Sequence, residues 1–343
     1  MNTMYFWLLT FLAMALPVAA DIEVRISVKF IKNSNGDRPM NSGTDIDIST
    51  PLTFDVEITH ANKVLEATGR GYQIKVVEYL DIQPPAPVDQ FADFWYALAA
   101  RENRRVFEAF ASSNKAVWKW NDNGAINIFV NNTTSGSCSF ADSGQTISLG
   151  STLFTKGTVL HEIGHFFNLS HTHGSDANCN VFVPANPLSS GISDGDGLGE
   201  TIPDHPCYTQ DQLSMANFGA NYAALSAIQQ NIVDDTWLNL MSYHEEDRLL
   251  PVQMDYWTDT ANRTRRAVCT GYTWFLATNG ADGIIFPDGL SPGQAFQSLG
   301  WGLARVTGPA DVVLLRSGNY LAPQTISTPC TLRATRGPVT LTR

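Results

Sequence analysis

Residues 161–171 of the chain read HEIGHFFNLSH, a stretch that holds three of the seven histidines of the sequence. On a helix, His161 and His165 are four positions apart, so both imidazoles leave the same face one turn apart. A break in the helix after His165 allows His171 to swing back as a third ligand. Asn168 can adopt the positive φ that this break needs, although glycine does so more easily. The stretch therefore predicts a helix that carries a three-histidine metal site.

Glu162 adds a catalytic group to this predicted site. It follows the first histidine and can reach a metal-bound water without occupying a coordination position. Three imidazole ligands leave the fourth position of a tetrahedral zinc open, which is the catalytic arrangement. The alternative is a helix with core or surface histidines, and the third histidine at this spacing argues against it. We predict zinc as the metal and Glu162 as the catalytic base, with His173 as a nearby bystander.

A second motif, LNLMSY at residues 238–243, lies downstream of the histidines. A methionine beside leucines is usually a core residue, but here it follows the zinc motif in a recognisable order. The pair of motifs resembles the zinc motif and Met-turn of metzincin peptidases. The resemblance implies that Met241 forms an apolar floor beneath the metal. It also implies that Tyr243 stands near the zinc and donates to an oxyanion.

The extended motif, with Thr172 and His173 after the last ligand, resembles the pappalysin branch of the metzincins. The resemblance covers roughly residues 21–268 and departs from the family at Asn168, where the family has glycine. Residues 196–201, DGLGET, are similar to a segment that binds calcium in relatives. This similarity implies calcium as a second candidate metal, and a solvated acidic loop is the open alternative. The candidate calcium ligands are Asp194, Asp196, Glu200 and Asp204.

The resemblance also bears on the cysteines and on substrate binding. Cys179 and Cys207 flank the acidic loop, as a disulfide does in relatives, so this pair is expected. A second bond, between Cys138 and Cys269, is expected and leaves Cys330 free. Residues 134–142 are the candidate rim strand that pairs with an extended substrate.

Strands alternate with helices before the zinc motif, which predicts an α/β fold. The resemblance makes it a twisted mixed sheet with an active-site helix, followed by an irregular subdomain that carries the Met-turn. The predicted strands are residues 21–31, 72–82, 125–130 and 145–149. The predicted helices are residues 51–67, capped by Thr50, then 93–112, 155–168, about 211–230, and 258–268, capped by Thr258.

The last part of the chain has a different pattern and predicts a β-rich tail. Residues 290–306 have the pattern of one amphipathic helix, and short β-rich bursts follow at 312–315, 324–327, 330–333 and 339–342. This spacing resembles the opening helix and first coil of a right-handed parallel β-helix. A small β appendage is the alternative. The predicted organisation is a signal peptide at 1–20, a catalytic domain at 21–271 and the tail at 272–343.

The N-terminus and the composition indicate an exported globular protein. An apolar run at residues 5–16 is followed by small residues, which predicts cleavage after Ala20, with an uncleaved anchor as the alternative. A net charge of -11 argues against nucleic acid and anionic membranes as partners. We therefore expect a secreted zinc endopeptidase with protein or peptide substrates and no stable membrane insertion after cleavage. A zinc-containing extracellular binding or scaffold protein is the alternative, and a zinc hydrolase of non-peptide amides is a third possibility.

Overall fold

The computed structural model describes residues 22–40, 47–83, 95–97, 107, 109–133, 146–151, 155–174, 194–244, 247–283, 287–323 and 325–342. The predicted signal peptide, the rim strand at 134–142, Cys138 and Cys179 lie outside these residues, as does most of the predicted helix at 93–112. The described parts of that helix, residues 95–97 and 109–113, are helical. Within the described ranges, no helix combines the length and the apolar character that crossing a bilayer requires.

A four-stranded parallel sheet forms the first half of the fold. Its order is β2-β1-β3-β4, and every pair between neighbours is parallel. The strands are β1 (Ile22–Ile31), β2 (Tyr72–Ile82), β3 (Ile126–Asn131) and β4 (Thr146–Gly150). The four predicted strands are thus confirmed to within one residue at each end. The described sheet is purely parallel, whereas the resemblance implied a mixed one.

Helix α1 (Pro51–Ala67) provides the crossover that parallel pairing of β1 with β2 requires. The Thr50 side chain accepts a hydrogen bond from the Thr53 amide and completes a capping box, and proline occupies the first turn. Gly69 and Gly71 follow with φ of 67° and 81° and turn the chain into β2. Local signals therefore set both ends of this helix where the sequence predicted them.

Both faces of the sheet are buried, as is usual for parallel sheets. One face of β1 joins the main core, which also holds Leu160 and Ile163 of the histidine-bearing helix. The other face of the sheet packs on a second cluster around Phe129 and Trp118. This second face also buries Lys29, which is 0% exposed and donates to Asn127 Oδ1 at 2.7 Å.

The helices after the sheet differ from their predicted bounds. Helix α2 (Thr158–Phe166) is shorter than the predicted 155–168. The predicted helix at 211–230 is wrong: the structure has α3 (Gln210–Phe218) and α4 (Ala227–Trp237), with a 3-10 turn at Tyr222–Ala224. Gly219 ends α3 with φ of 72°, and Ser226 caps α4, so the apolar pattern spans two elements.

The last helix of this half also begins elsewhere than predicted. Helix α5 covers Pro251–Arg263, with proline in its first turn. Thr258, the predicted cap, lies inside α5, and its hydroxyl donates to the Met254 carbonyl at 2.7 Å. Residues Arg266–Val268 form a separate 3-10 turn. Proline at the first position was the stronger start signal, because its missing N–H costs nothing there.

The tail forms a second parallel sheet, with order β5-β6-β7. Its strands are β5 (Thr273–Leu276), β6 (Val312–Leu321) and β7 (Thr331–Thr342), and both pairs are parallel. The predicted helix at 290–306 is wrong, because a 3-10 turn at Pro292–Gln294 precedes a short helix α6 (Leu299–Arg305) capped by Ser298. Residues 325–327 are not a strand. Parallel stacking is what a β-helix coil requires, and the β-helix resemblance stays a prediction.

The second sheet shares its core with the first. Phe275 of β5 and Val312 and Leu314 of β6 belong to the same buried cluster as the apolar residues of β1. The Asn262 side chain of α5 also exchanges two hydrogen bonds with the Thr273 backbone, at 2.8 and 3.0 Å. The described part of the tail is therefore packed against the rest of the chain.

Candidate metal centre

Helix α2 presents His161 and His165 and then ends at a sharp break. The amides of Phe167 and Leu169 both donate to the Gly164 carbonyl, each at 3.0 Å, and Asn168 has φ of 67°. This left-handed residue reverses the chain after the helix. The predicted positive φ at Asn168 is confirmed.

The reversal brings His171 to the two histidines of the helix. His171 Nε2 lies 3.2 Å from His161 Nε2 and 2.9 Å from His165 Nε2. Zinc–nitrogen bonds of about 2.0–2.1 Å in a tetrahedral site place neighbouring ligand nitrogens about 3.3 Å apart. The three imidazoles are therefore spaced to hold one metal ion, and they form a group whose ligand atoms lie within 4.8 Å of one another.

The hydrogen bonds of the first two histidines show which nitrogens face the shared point. His161 Nδ1 donates to the Leu240 carbonyl and His165 Nδ1 to the Leu169 carbonyl, both at 2.7 Å. A neutral ring that donates through Nδ1 carries a lone pair at Nε2. The Nε2 lone pairs of His161 and His165 thus both face His171 Nε2, an arrangement that suits a cation held among the three rings. Such carbonyl partners are typical of metal-bound histidines, because they fix the tautomer and the ring orientation.

The protonation state of His161 suits a metal ligand. Burial, together with a smaller effect of the neighbouring His165, lowers its pKa from 6.5 to about 3. His161 is therefore a neutral imidazole at neutral pH, the form that binds metals.

Met241 lies against the histidine helix at Gly164. It is 0% exposed, and its amide donates to Asn239 Oδ1 at 2.9 Å. A Cβ on Gly164 would lie only 2.9 Å from Met241 Sδ, so glycine allows the helix to approach this side chain closely. The Met241 carbonyl also accepts from the Thr172 amide at 3.1 Å, which ties the segment after His171 to the Met-turn.

Tyr243 is exposed to solvent, whereas Glu162 is buried. Tyr243 is 51% exposed, and its ring centroid is 4.7 Å from that of His171 and 5.5 Å from that of His161. Glu162 is 6% exposed and sits on α2 beside the first histidine. His173 stacks on His171 at 4.7 Å, and its Nδ1 donates to the Gly174 carbonyl at 3.0 Å. Tyr243 therefore has the largest exposed fraction of these five residues.

The candidate calcium ligands split between different partners. Glu200 Oε2 accepts from the Val252 amide at the start of α5, at 2.8 Å. Asp204 is 0% exposed and binds groups around the Met-turn instead. Only Asp194 and Asp196 remain neighbours, and burial followed by the Asp194 charge raises the pKa of Asp196 despite its hydrogen bonds. Glu200 and Asp204 therefore have protein partners of their own, and calcium binding at these carboxylates stays a prediction.

The cysteines correct one predicted pairing. Cys207 is disulfide-bonded, and its partner lies outside the described residues. Cys269 is a free, buried thiol whose pKa is raised to about 12 by burial. The expected bond between Cys138 and Cys269 is therefore wrong, while the prediction of a free Cys330 is confirmed.

Sequence reasoning missed a carboxylate that caps the histidine helix. Glu57 of α1 is 1% exposed, and its Oε2 accepts from the amide of Gly157, the N-cap residue of α2, at 3.0 Å. Burial raises the pKa of Glu57 to about 7, although the Gly157 hydrogen bond opposes the shift. The two residues are 100 positions apart, so no local pattern marks this contact.

Comparison with protein-family models and with curated proteins gives no match. Among solved structures, the chain is similar to a protein described as "Structure of a chaperone-substrate complex", with 14% identity and a TM-score of 0.29. The similar region covers 46% of this chain and 25% of that chain. The chain thus spans about a quarter of that protein, and a similarity of this size supports no inference about function.

Proposed function

We propose that this chain is a zinc-dependent endopeptidase of the pappalysin-like metzincin type. The observation that carries the proposal is the convergence of three imidazole nitrogens, two of them with fixed tautomers, beside Glu162. Met241 behind the helix and Tyr243 beside the histidines support the same assignment. Imidazole ligands suit zinc, and three of them leave a position for water.

Each protein group has a distinct part in the proposed hydrolysis of a peptide bond. His161, His165 and His171 would hold the zinc, which when bound supplies an acidified water and polarises a carbonyl. Glu162 accepts a proton from the attacking water and passes it to the leaving amine. Tyr243 is exposed enough to meet a substrate, and its hydroxyl donates to the developing oxyanion.

Cleavage of casein or gelatin by the purified, zinc-loaded chain tests this proposal. We expect cleavage that a chelator abolishes and zinc restores. Glu162→Ala should reduce kcat by about 10²–10⁴-fold while zinc stays bound, because the base is lost and the ligands remain. Glu66→Ala, an exposed carboxylate on α1, is the matched control and should retain full activity.

Two results would contradict the proposal. If wild type and Glu162→Ala bind zinc and are equally inert, the zinc-containing scaffold protein becomes the better account. If a peptide library is untouched while small amides are hydrolysed, the substrate class is wrong and the metal chemistry stands.

Export belongs to the same proposal. A disulfide at Cys207 supports it, because such bonds persist in oxidising compartments. The apolar run and small residues before Asp21 supply the expected signal peptide. N-terminal sequencing of the mature protein should begin at Asp21, and a first residue at Met1 would contradict the cleaved signal.

A further inference from the structure

Asp204 is a fully buried carboxylate whose two oxygens are satisfied by three groups. Its Oδ1 accepts from His244 Nε2 at 3.0 Å and from the His205 amide at 2.7 Å. Its Oδ2 accepts from the Thr172 hydroxyl at 2.8 Å. A buried carboxylate is retained only when such partners replace its lost hydration. Asp204 thus joins groups from two segments that border the candidate metal centre.

His244 is held from two sides, directly after Tyr243. Its side chain is 3% exposed, and its ring stacks on Trp237 with centroids 4.1 Å apart and an interplanar angle of 13°. Because a carboxylate oxygen only accepts, Nε2 of His244 carries the hydrogen that points to Asp204. The ring cannot shift without losing either the stacking or the hydrogen bond. Its backbone in turn limits where Tyr243 can stand.

Thr172 connects the same carboxylate to the third metal ligand. It follows His171, its amide donates to the Met241 carbonyl at 3.1 Å, and its carbonyl accepts from the Gly195 amide at 3.0 Å. A Cβ on Gly195 would lie 1.9 Å from the His173 carbonyl oxygen, so the two segments touch backbone to backbone. The position of His171 is therefore tied to the segment that carries Asp204.

We infer that Asp204 and His244 form a positioning pair, which holds His171 and Tyr243 in a fixed relation across the candidate metal centre. The inference rests on the proposed function, because it gives the pair a role toward zinc and substrate. Asp204 acts through Thr172 on the ligand segment and through His244 on the Met-turn segment. The hydrogen bonds of Asp204 and His244 described above go to groups other than the three ligand nitrogens.

Zinc affinity and the visible spectrum of the cobalt-substituted protein test the pair without any substrate. The variants are Asp204→Asn, which keeps the shape and removes the charge, and Thr172→Val, which removes one hydroxyl. Asp259→Asn is the matched control, because its carboxylate pairs with Arg263 at the surface. Changes to groups that orient metal ligands typically weaken metal binding by about 10–100-fold. We expect about a tenfold loss for Asp204→Asn by chelator competition, an altered cobalt d–d spectrum, and no change for the control.

Substrate kinetics separate this inference from the proposed function. With Asp204→Asn, kcat should fall more than KM rises, because Tyr243 loses its fixed place while the substrate surface remains. Zinc affinity and a cobalt spectrum that match wild type in both variants would overturn the positioning pair, whatever the cleavage assay shows. Altered metal readouts in a protein that cleaves no peptide would support the pair and refute the peptidase proposal. If Asp204→Asn does not fold, Thr172→Val decides, since it leaves the carboxylate and His244 in place.

Discussion

Gly164→Ala probes the close approach of the histidine helix to Met241. The added Cβ would lie 2.9 Å from Met241 Sδ and 3.5 Å from Leu169 Cδ1. Ordinary contacts between heavy atoms lie near 3.5–4.0 Å, so only the methionine contact is too short. Met241 is 0% exposed and has little room to move. Overpacking of this kind lowers the free energy of unfolding by about 1–3 kcal/mol. Alanine in place of glycine inside a helix raises it by about 1 kcal/mol.

The expected result is a change of sign with the background. In the wild type, Gly164→Ala should lower the free energy of unfolding by about 0–2 kcal/mol, as the difference of those two effects. In a Met241→Ala background the obstacle is gone, so the same substitution should raise it by about 1 kcal/mol. The coupling between the two sites is then about 1–3 kcal/mol, in the range expected for residues in contact.

Urea unfolding of the metal-free proteins, followed by circular dichroism, measures this cycle. Gly300→Ala is the control, because Gly300 lies in helix α6 with nothing within 4 Å of an added Cβ. It should stabilise both backgrounds equally. If Gly164→Ala behaves like Gly300→Ala in both backgrounds, the methionine does not form a packed floor beneath the helix.

Three further predictions concern groups around the centre. Burial lowers the pKa of Lys29 from 10.5 to about 7. Between these two values the unfolded chain binds more protons than the folded chain, so the free energy of unfolding rises with pH. Between pH 7 and 9 wild type should gain about 2 kcal/mol over Lys29→Met in urea unfolding, and parallel curves would contradict this. Burial raises the pKa of Glu57 to about 7 from 4.5, so stability falls as pH rises through this window. At pH 8, Glu57→Gln should therefore be more stable than wild type by about 3 kcal/mol, with little difference near pH 4.5; equal stability at pH 8 would refute this. Asn168→Gly should change the free energy of unfolding by no more than about 1 kcal/mol and should keep zinc binding. Asn168→Val places a β-branched residue at φ of 67°, so it should lower the free energy of unfolding by about 1–3 kcal/mol and weaken zinc binding. Equal zinc affinities of the two variants would show that the metal centre does not need the left-handed residue that ends the helix.

Elements whose ends carry local signals could be predicted from the sequence. Thr50, Pro51 and the glycines after Ala67 bound α1, and the structure ends the helix where they stand. The wrong helices fail for equally local reasons. The apolar periodicity continues through Gly219, but in the structure this glycine adopts a left-handed conformation and ends α3. For α5, the sequence offers Pro251 as well as Thr258 as a start, and the helix begins at Pro251.

The candidate site divides in the same way between local and long-range information. Helical spacing places His161 with His165, and one residue able to adopt positive φ returns His171, so the ligand group is encoded within a single stretch. The supporting contacts are not encoded locally: Asp204 and His244 are 40 positions apart. The sequence shows the charge of Asp204, which makes it a candidate calcium ligand. Its burial beside His244 becomes apparent only in the folded structure.

Zinc content and zinc-edge X-ray absorption of the purified chain, compared with His171→Ala, test the three-histidine centre most directly. We predict one zinc per chain with three nitrogen ligands at about 2.0–2.1 Å. His171→Ala should lose most of this affinity and one of these ligands. A wild-type protein that binds no zinc, or a His171→Ala variant that binds it equally tightly with an unchanged spectrum, would contradict the centre described for His161, His165 and His171.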